Sequence, residues 1–430
     1  MTNVPASSHP DDAEAIRRAR LEKLLELAAM YKGWSKRRLG EELARDDSKL
    51  VPASGNPKLD LVVTLSELLD WPVGDLIETM WDEPIKAADL HAGKSFDELD
   101  QECVRLHDEG KYRQRIGVAQ AMHPMATTGR ERAIAKAREY GGWEGLGRYS
   151  KCVDVLREAL AERGVAATTR LLLRSNLAWS LFAQGHLYDA MGMAQLVCGE
   201  SGELESKMTE TLAIAIAVAH ETTALSRRSL VSEDELSAQT HARLAMESFV
   251  AAGRYMRVAA GFGNRPASYF EAKQALGTFV STELHAFLGE VDPSVAVRSL
   301  VEAVCEQPRS SVAEQSSEWA DAECWGCISG CAIALRHLPD REKSRAVAVF
   351  CEKGYELADR RDNWMMRQRI FEIDHSIRSF EQASFGIERD WVLDRDDIKV
   401  LVGTMGRFSG FRSRGWSILN SARIVREAKP

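Results

Sequence analysis

Lys36, Arg37 and Arg38 directly follow Ser35, and Lys49 and Lys58 come before residue 60, interleaved with Ser48, Ser54 and Asn56. Side chains of these types donate to phosphate oxygens: the guanidinium as a fork, the ammonium as a point charge, the hydroxyl and amide as neutral donors. Their chemistry is the holding of a polyanion. A second cluster, Cys324, Cys327 and Cys331, has the i, i+3, i+7 spacing that puts three thiols on one helix stripe, where three metal ligands are geometrically conceivable. No fourth ligand stands nearby, and Gly326, Gly330, Ala332 and Ala334 around them point to close core packing. The ten histidines are dispersed. Gly261-Phe262-Gly263 runs into Asn264-Arg265-Pro266, which breaks a dinucleotide fingerprint, and no Ser lies between glycines as in a nucleophile elbow. We therefore expect no catalytic residues, no metal site and no cofactor; the chain does not read as an enzyme.

The elements that must position the cations are short helices. Apolar positions recur with helical spacing between Asp12 and Met30, after a polar start (residues 1–11) that is expected to be disordered. Ser35 suits the N-cap of a second helix, Lys36 to Ala44. A brief third helix is expected from Asp46 to Val51, where Pro52 stops it. After the turn Ala53-Ser54-Gly55-Asn56-Pro57, a fourth runs from Lys58 to Leu69 with Leu59, Val62, Val63, Leu65, Leu68 and Leu69 inward. Pro72 starts a fifth, carrying Val73, Leu76, Ile77 and Met80.

This arrangement resembles the phage-repressor type of helix-turn-helix domain found in xenobiotic-response-element regulators, over roughly residues 16 to 81. The resemblance implies that the helix from Ser35 to Leu43 crosses the DNA backbone and that the next enters the major groove. DNA-binding residues carried by it are Ser35, Lys36, Arg37, Arg38, Ser48, Lys49, Ser54, Asn56 and Lys58. Asp46, Asp47 and Pro52 fall where the base-reading helix belongs, so backbone grip is expected more than base reading. Residues 16–60 hold eleven Lys/Arg against seven Asp/Glu, a balance of +4, and residues 61–90 one against seven, a balance of -6. The positive end thus coincides with the proposed phosphate contacts. The whole chain carries -8, which excludes a protein that coats nucleic acid along its length.

Residues 82–94 lack an apolar face and read as a linker. From Ser95 onward a signature recurs: Gly, a bulky residue two on, a small one three further. It stands at Gly110/Tyr112, Gly147/Tyr149/Cys152, Gly185/Leu187/Ala190 and Gly253/Tyr255/Val258, at intervals of 37, 38 and 68, the last filled by a degenerate unit near 210 to 225. Such periods mark stacked helix hairpins. The residues resemble tetratricopeptide repeats over 95 to 260, and generic helix pairs over 270 to 380. Arg115 stands where that family wants a small residue, which suits an atypical first unit. The resemblance implies an α-superhelix whose concave face takes a peptide or protein segment. Asn176, Asn264 and Arg265 are polar in apolar surroundings there. Regulators that detect peptide pheromones, of the Rgg and PlcR kind, share this domain order.

Residues 381–430 form a basic C-terminal segment: from Lys399 on, seven Lys/Arg stand against Glu427 alone. Interleaved with Phe408, Phe411 and Trp416, the arginines could stack on nucleic acid or latch the segment onto the acidic body. The alternation Ile398, Val400, Val402 predicts a short strand. No run is apolar enough to span a bilayer and no secretory signal opens the chain; a cytosolic address with reduced thiols is expected. The sequence thus predicts an all-α protein, a homodimeric DNA-binding transcriptional regulator whose repeats sense a peptide or partner. The other reading is a non-enzymatic adaptor whose helix-turn-helix no longer reads DNA.

Overall fold

A computed structural model describes residues 10–46, 50–52, 56–69, 73, 76–77, 80, 93–306, 317–360, 362–385 and 391–425. The fold is all-α. The chain divides into two compact units, Met1–Lys86 and Ala87–Pro430.

In the first unit, α1 spans Pro10–Lys32, α2 Lys36–Glu42 and α3 Leu59–Leu69. Helix α1 begins two residues before the expected start, because Pro10 is preset for a first helical position and Asp11 and Asp12 favour a helix N-terminus. Helix α2 ends two residues early: Ala44 turns into the left-handed region (φ 49°), and the Arg45 N–H reaches back to the Gly40 carbonyl at 2.9 Å. One core joins Leu21, Leu24, Leu25 and Ala28 of α1 to Leu39, and to Leu61, Val62, Leu65 and Leu69 of α3, with Leu50, Leu76 and Met80. Val62, Leu65 and Leu69 are buried as expected, whereas Leu59 and Val63, predicted inward, face solvent, and Leu61 joins the buried stripe of α3. Val73, Leu76, Ile77 and Met80 are helical, whereas Asp47 to Lys49 of the expected third helix lie outside the described residues.

The second unit stacks helix hairpins, each helix packed on the next: α4 (Phe96–Asp108), α5 (Tyr112–Met125), α6 (Gly129–Gly145), α7 (Tyr149–Ala161), α8 (Ala167–Ala183), α9 (Leu187–Ser201), α10 (Glu210–Glu233), α11 (Ala238–Ala260), α12 (Ala267–Phe287), α13 (Pro293–Val301), α14 (Ser317–His337), α15 (Asp340–Arg360) and α16 (Trp364–Phe385). Capping boxes open two of them, Ser95 with Glu98 and Thr128 with Glu131, so helix starts are encoded locally. The glycines at 110, 147 and 185 lie in the hairpin turns with φ of 69°, 66° and 84°. Only Gly enters that region without strain. Arg115 is buried rather than exposed: Gly141 leaves room for its guanidinium, whose Nε donates to the Arg138 carbonyl at 2.8 Å.

The fourth signature does not mark a turn. Gly253 lies inside α11, and the expected unit near 210 to 225 is the first half of α10. These two helices run 24 and 23 residues with no Gly or Pro from Glu210 to Ala252, so the hairpin outgrows the repeat and turns at 234–237 instead.

Gly147 and Gly185 offer a paired test. A Cβ at Gly147 would meet Trp364 Cβ at 2.8 Å, whereas one at Gly185 would meet nothing within 4 Å. Gly185→Ala should cost about 1–2 kcal/mol, the left-handed strain alone, and Gly147→Ala about 2–4 kcal/mol with the clash added. Urea unfolding of the two variants measures the difference; equal losses would remove Trp364 from the argument.

The C-terminal segment folds onto the repeats. Strand β1 (Trp391–Leu393) pairs in parallel with β2 (Ala422–Ile424), and α17 (Arg395–Arg407) and α18 (Arg412–Ser421) lie between them. Ile398, Val400 and Val402 belong to α17, not to a strand; a capping box at Asp394 with Asp397 starts that helix, and Leu401, Thr404, Met405 and Phe408 form its buried stripe.

Candidate functional site

Ser35 caps α2, its Oγ accepting the Arg38 N–H at 3.3 Å. Lys36, Arg37 and Arg38 are therefore presented together on one exposed turn. Arg37 pairs with Glu41 at 3.2 Å with both side chains well solvated, a bond worth only a few tenths of a kcal/mol. Arg38 stands 5.3 Å over the ring of Trp34. Asn56 and Lys58 occupy a second exposed stretch, and the Lys58 carbonyl accepts the Leu61 and Val62 N–H groups of α3. Arg45 is committed elsewhere: its guanidinium holds both oxygens of Asp60, at 2.9 and 2.8 Å. Ser48, Lys49 and Ser54 lie outside the described residues.

In the second unit α6, α8, α10, α12, α14 and α16 contribute side chains to a connected set of polar and aromatic contacts. Lys273 of α12 donates to Glu221 of α10 at 2.8 Å and stands 5.8 Å from the ring of Trp179 of α8. Asp321 of α14 accepts from Asn363, just before α16, at 2.6 Å. Glu144 of α6 accepts from Tyr140 at 2.8 Å and lies within electrostatic reach of Lys273. Burial opposes the charge on Lys273, but Glu221 and Tyr269 beside it outweigh that and raise its pKa.

Beyond this polar tier lies an aromatic one. Trp325 of α14 stacks on Phe182 of α8, centroids 6.2 Å apart; Arg369 of α16 lies 4.9 and 5.0 Å from those two rings. Arg228 of α10 stands 5.9 Å from Trp325 and is clamped by Glu283 of α12 at 2.9–3.0 Å. Among the described residues this unit holds a cavity of about 1040 Å³ and another of about 480 Å³. Arg265 lines the larger; Asn264 is tied to Glu210 at 2.7 Å, and Asn176 is half-buried on α8.

Burial pushes the Asp321 carboxyl up to about 6, with Lys273 and Asn363 opposing and Glu318 and Glu144 adding to the rise. An acid whose folded pKa is raised binds protons that the unfolded chain has released, so stability falls as pH climbs toward 6. Asp321→Asn should therefore stabilise by about 1–2 kcal/mol at pH 8 and give no gain at pH 4. Urea midpoints at both pH values check it; a gain that did not depend on pH would contradict the assignment.

Three of the C-terminal arginines are engaged by the protein's own groups. Arg407 donates to the Leu146 carbonyl at 3.0 Å and lies 3.6 Å over Trp364, Arg412 donates to the Met405 carbonyl at 3.1 Å, and Arg414 pairs with Glu372. Phe408 and Phe411 pack against Tyr149 and Phe371, and only Trp416 of the three aromatics is exposed. The segment is a latch. Cys324, Cys327 and Cys331 are core residues with thiols held well above the usual range by burial, and the Phe350 ring fills the space over Gly330. Among the described residues no helix is long and apolar enough to cross a membrane.

No family model and no curated protein matches the sequence. Among solved structures, Bacillus thuringiensis PlcR in complex with the peptide PapR7 and DNA is similar at 13% identity, over 64% of this chain and 98% of that one. The TM-score is 0.28, too low to argue fold or ligand from.

Proposed function

We propose that the chain is a DNA-binding regulator: its first unit grips the phosphate backbone through the first turn of α2, and its helical unit receives a peptide or protein partner. The observation that carries this is the exposed turn Lys36-Arg37-Arg38 on a capped helix start. Lys36 has no charged partner among the described residues, and Arg37 has only a solvated one. Such cations exchange bound water and counterions for phosphate oxygens at little structural cost. Asp46, exposed beyond α2, disfavours base reading close by, so the grip is expected to be tolerant of sequence.

Lys36→Glu with Arg37→Glu should weaken binding to a random-sequence duplex at low salt by about 10–100-fold while leaving the unfolding midpoint unchanged. Fluorescence anisotropy measures it. Wild-type protein that fails to bind, or a variant that binds equally well, would overturn the regulator reading in favour of an adaptor.

A further inference from the structure

The smaller cavity, about 480 Å³, lies between the C-terminal halves of α10 and α14 and the middle of α16, with α18 at its edge. Its lining has two characters. Arg228, Arg336, Arg369 and Arg414 bring four guanidiniums against the single carboxylate of Glu372, while Ile328, Leu335 and Ile373 supply an apolar wall.

These arginines are not equally occupied. Glu283 takes Arg228, and Glu372 takes Arg414. Arg336 lies 4.7 Å over Phe287 and makes one long bond, 3.4 Å, to Ser232. Arg369 is the exception: its Nε is buried and finds no hydrogen-bond partner among the described residues. A buried donor left unmade costs about 1–3 kcal/mol, so folds retain one where something else completes it. Burial and the neighbouring Arg228 push the Arg369 guanidinium down to about 10, the signature of positive charge short of counter-charge.

We infer that this cavity binds an amphipathic carboxylate, its anionic end at Arg369 and Arg336 and its apolar body against Ile328, Leu335 and Ile373. The volume suits a ligand of a few hundred daltons at most. Two sources share that chemistry: the free C-terminus of a short apolar peptide, and a small branched-chain acid. The inference rests on the ligand-receiving half of the proposed function and is independent of the DNA half, because the assay contains no DNA.

The test is calorimetric titration of the full chain with three probes: N-acetyl-leucyl-leucine, its C-terminal amide, and 4-methylpentanoate. The free-acid peptide should bind at least about 10-fold more tightly than the amide, since only the acid carries the charge that the guanidiniums lack. Arg369→Gln should remove that preference. Arg336→Gln, at an exposed position that leaves the core intact, should reduce it several-fold, so the inference stays testable where the Arg369 variant misfolds. A peptide that outbinds 4-methylpentanoate by 10-fold identifies the C-terminus as the source, and equal affinities identify the free acid. Absence of binding by both acids at millimolar concentration, equal affinity for acid and amide, or a preference untouched by Arg336→Gln would overturn it.

Discussion

Trp325→Ala is expected to cost the helical unit about 3–5 kcal/mol, the range for removing a fully buried aromatic from a packed core. Trp325 is 0% exposed and sits where the inner helices meet: Phe182 comes from α8, Arg228 from α10 and Arg369 from α16. Truncation opens a cavity and also strips two guanidiniums of the ring that shields them, so the loss should sit at the upper end. Trp325→Phe keeps a ring against Phe182 and should recover much of it. Urea unfolding of both variants measures the pair. A loss below about 1 kcal/mol for alanine would mean that the interior does not close around this residue.

Lys273→Met is expected to destabilise by about 3–4 kcal/mol near pH 7, because it leaves the Glu221 carboxylate buried without its cation. Glu221 is 3% exposed and lies on the α10 face that carries Ala217 and Leu225. Water is a poor substitute partner there. Lys273→Met combined with Glu221→Leu should be more stable than the single variant, since an apolar pair of similar volume often replaces a buried ion pair without loss. Denaturation midpoints at pH 7 for the three proteins check it. A single variant as stable as wild type would show that the pair is solvated.

How much of this was legible in the sequence divides along local and distant encoding. Gly110, Gly147 and Gly185 announce their turns because the left-handed conformation is a property of the residue itself. Ser35 announces the start of α2 for the same kind of reason, its hydroxyl meeting a backbone N–H three residues on. Gly253 misled because its spacing to Tyr255 and Val258 copies the signature inside an uninterrupted helix. Ile398, Val400 and Val402 misled likewise: period two over five residues also occurs by chance in a helix whose true stripe is Leu401, Thr404, Met405 and Phe408.

The interior was hidden for a different reason. Trp325 meets Phe182 across 143 positions (325 − 182), and Arg407 meets Leu146 across 261. No local pattern carries such pairings. Glu221, a carboxylate among the mostly apolar residues Ala213 to Leu225, is a signal that sequence reading missed, and nothing local to it names Lys273 as its partner. In the first unit the cations were legible and their presentation by the Ser35 cap followed, but Arg45 and Asp60 looked like free charges until their bidentate bond appeared.

The claim that the first unit grips phosphate is tested most directly by the salt dependence of its affinity for a random-sequence duplex. With about three phosphates neutralised per protomer, the logarithm of the binding constant should fall against the logarithm of salt concentration with a slope near -3. Replacing Lys36, Arg37 and Arg38 by Gln one at a time should lower that slope by about 1 each. A wild-type slope near zero, or a slope unmoved by all three replacements, would contradict it.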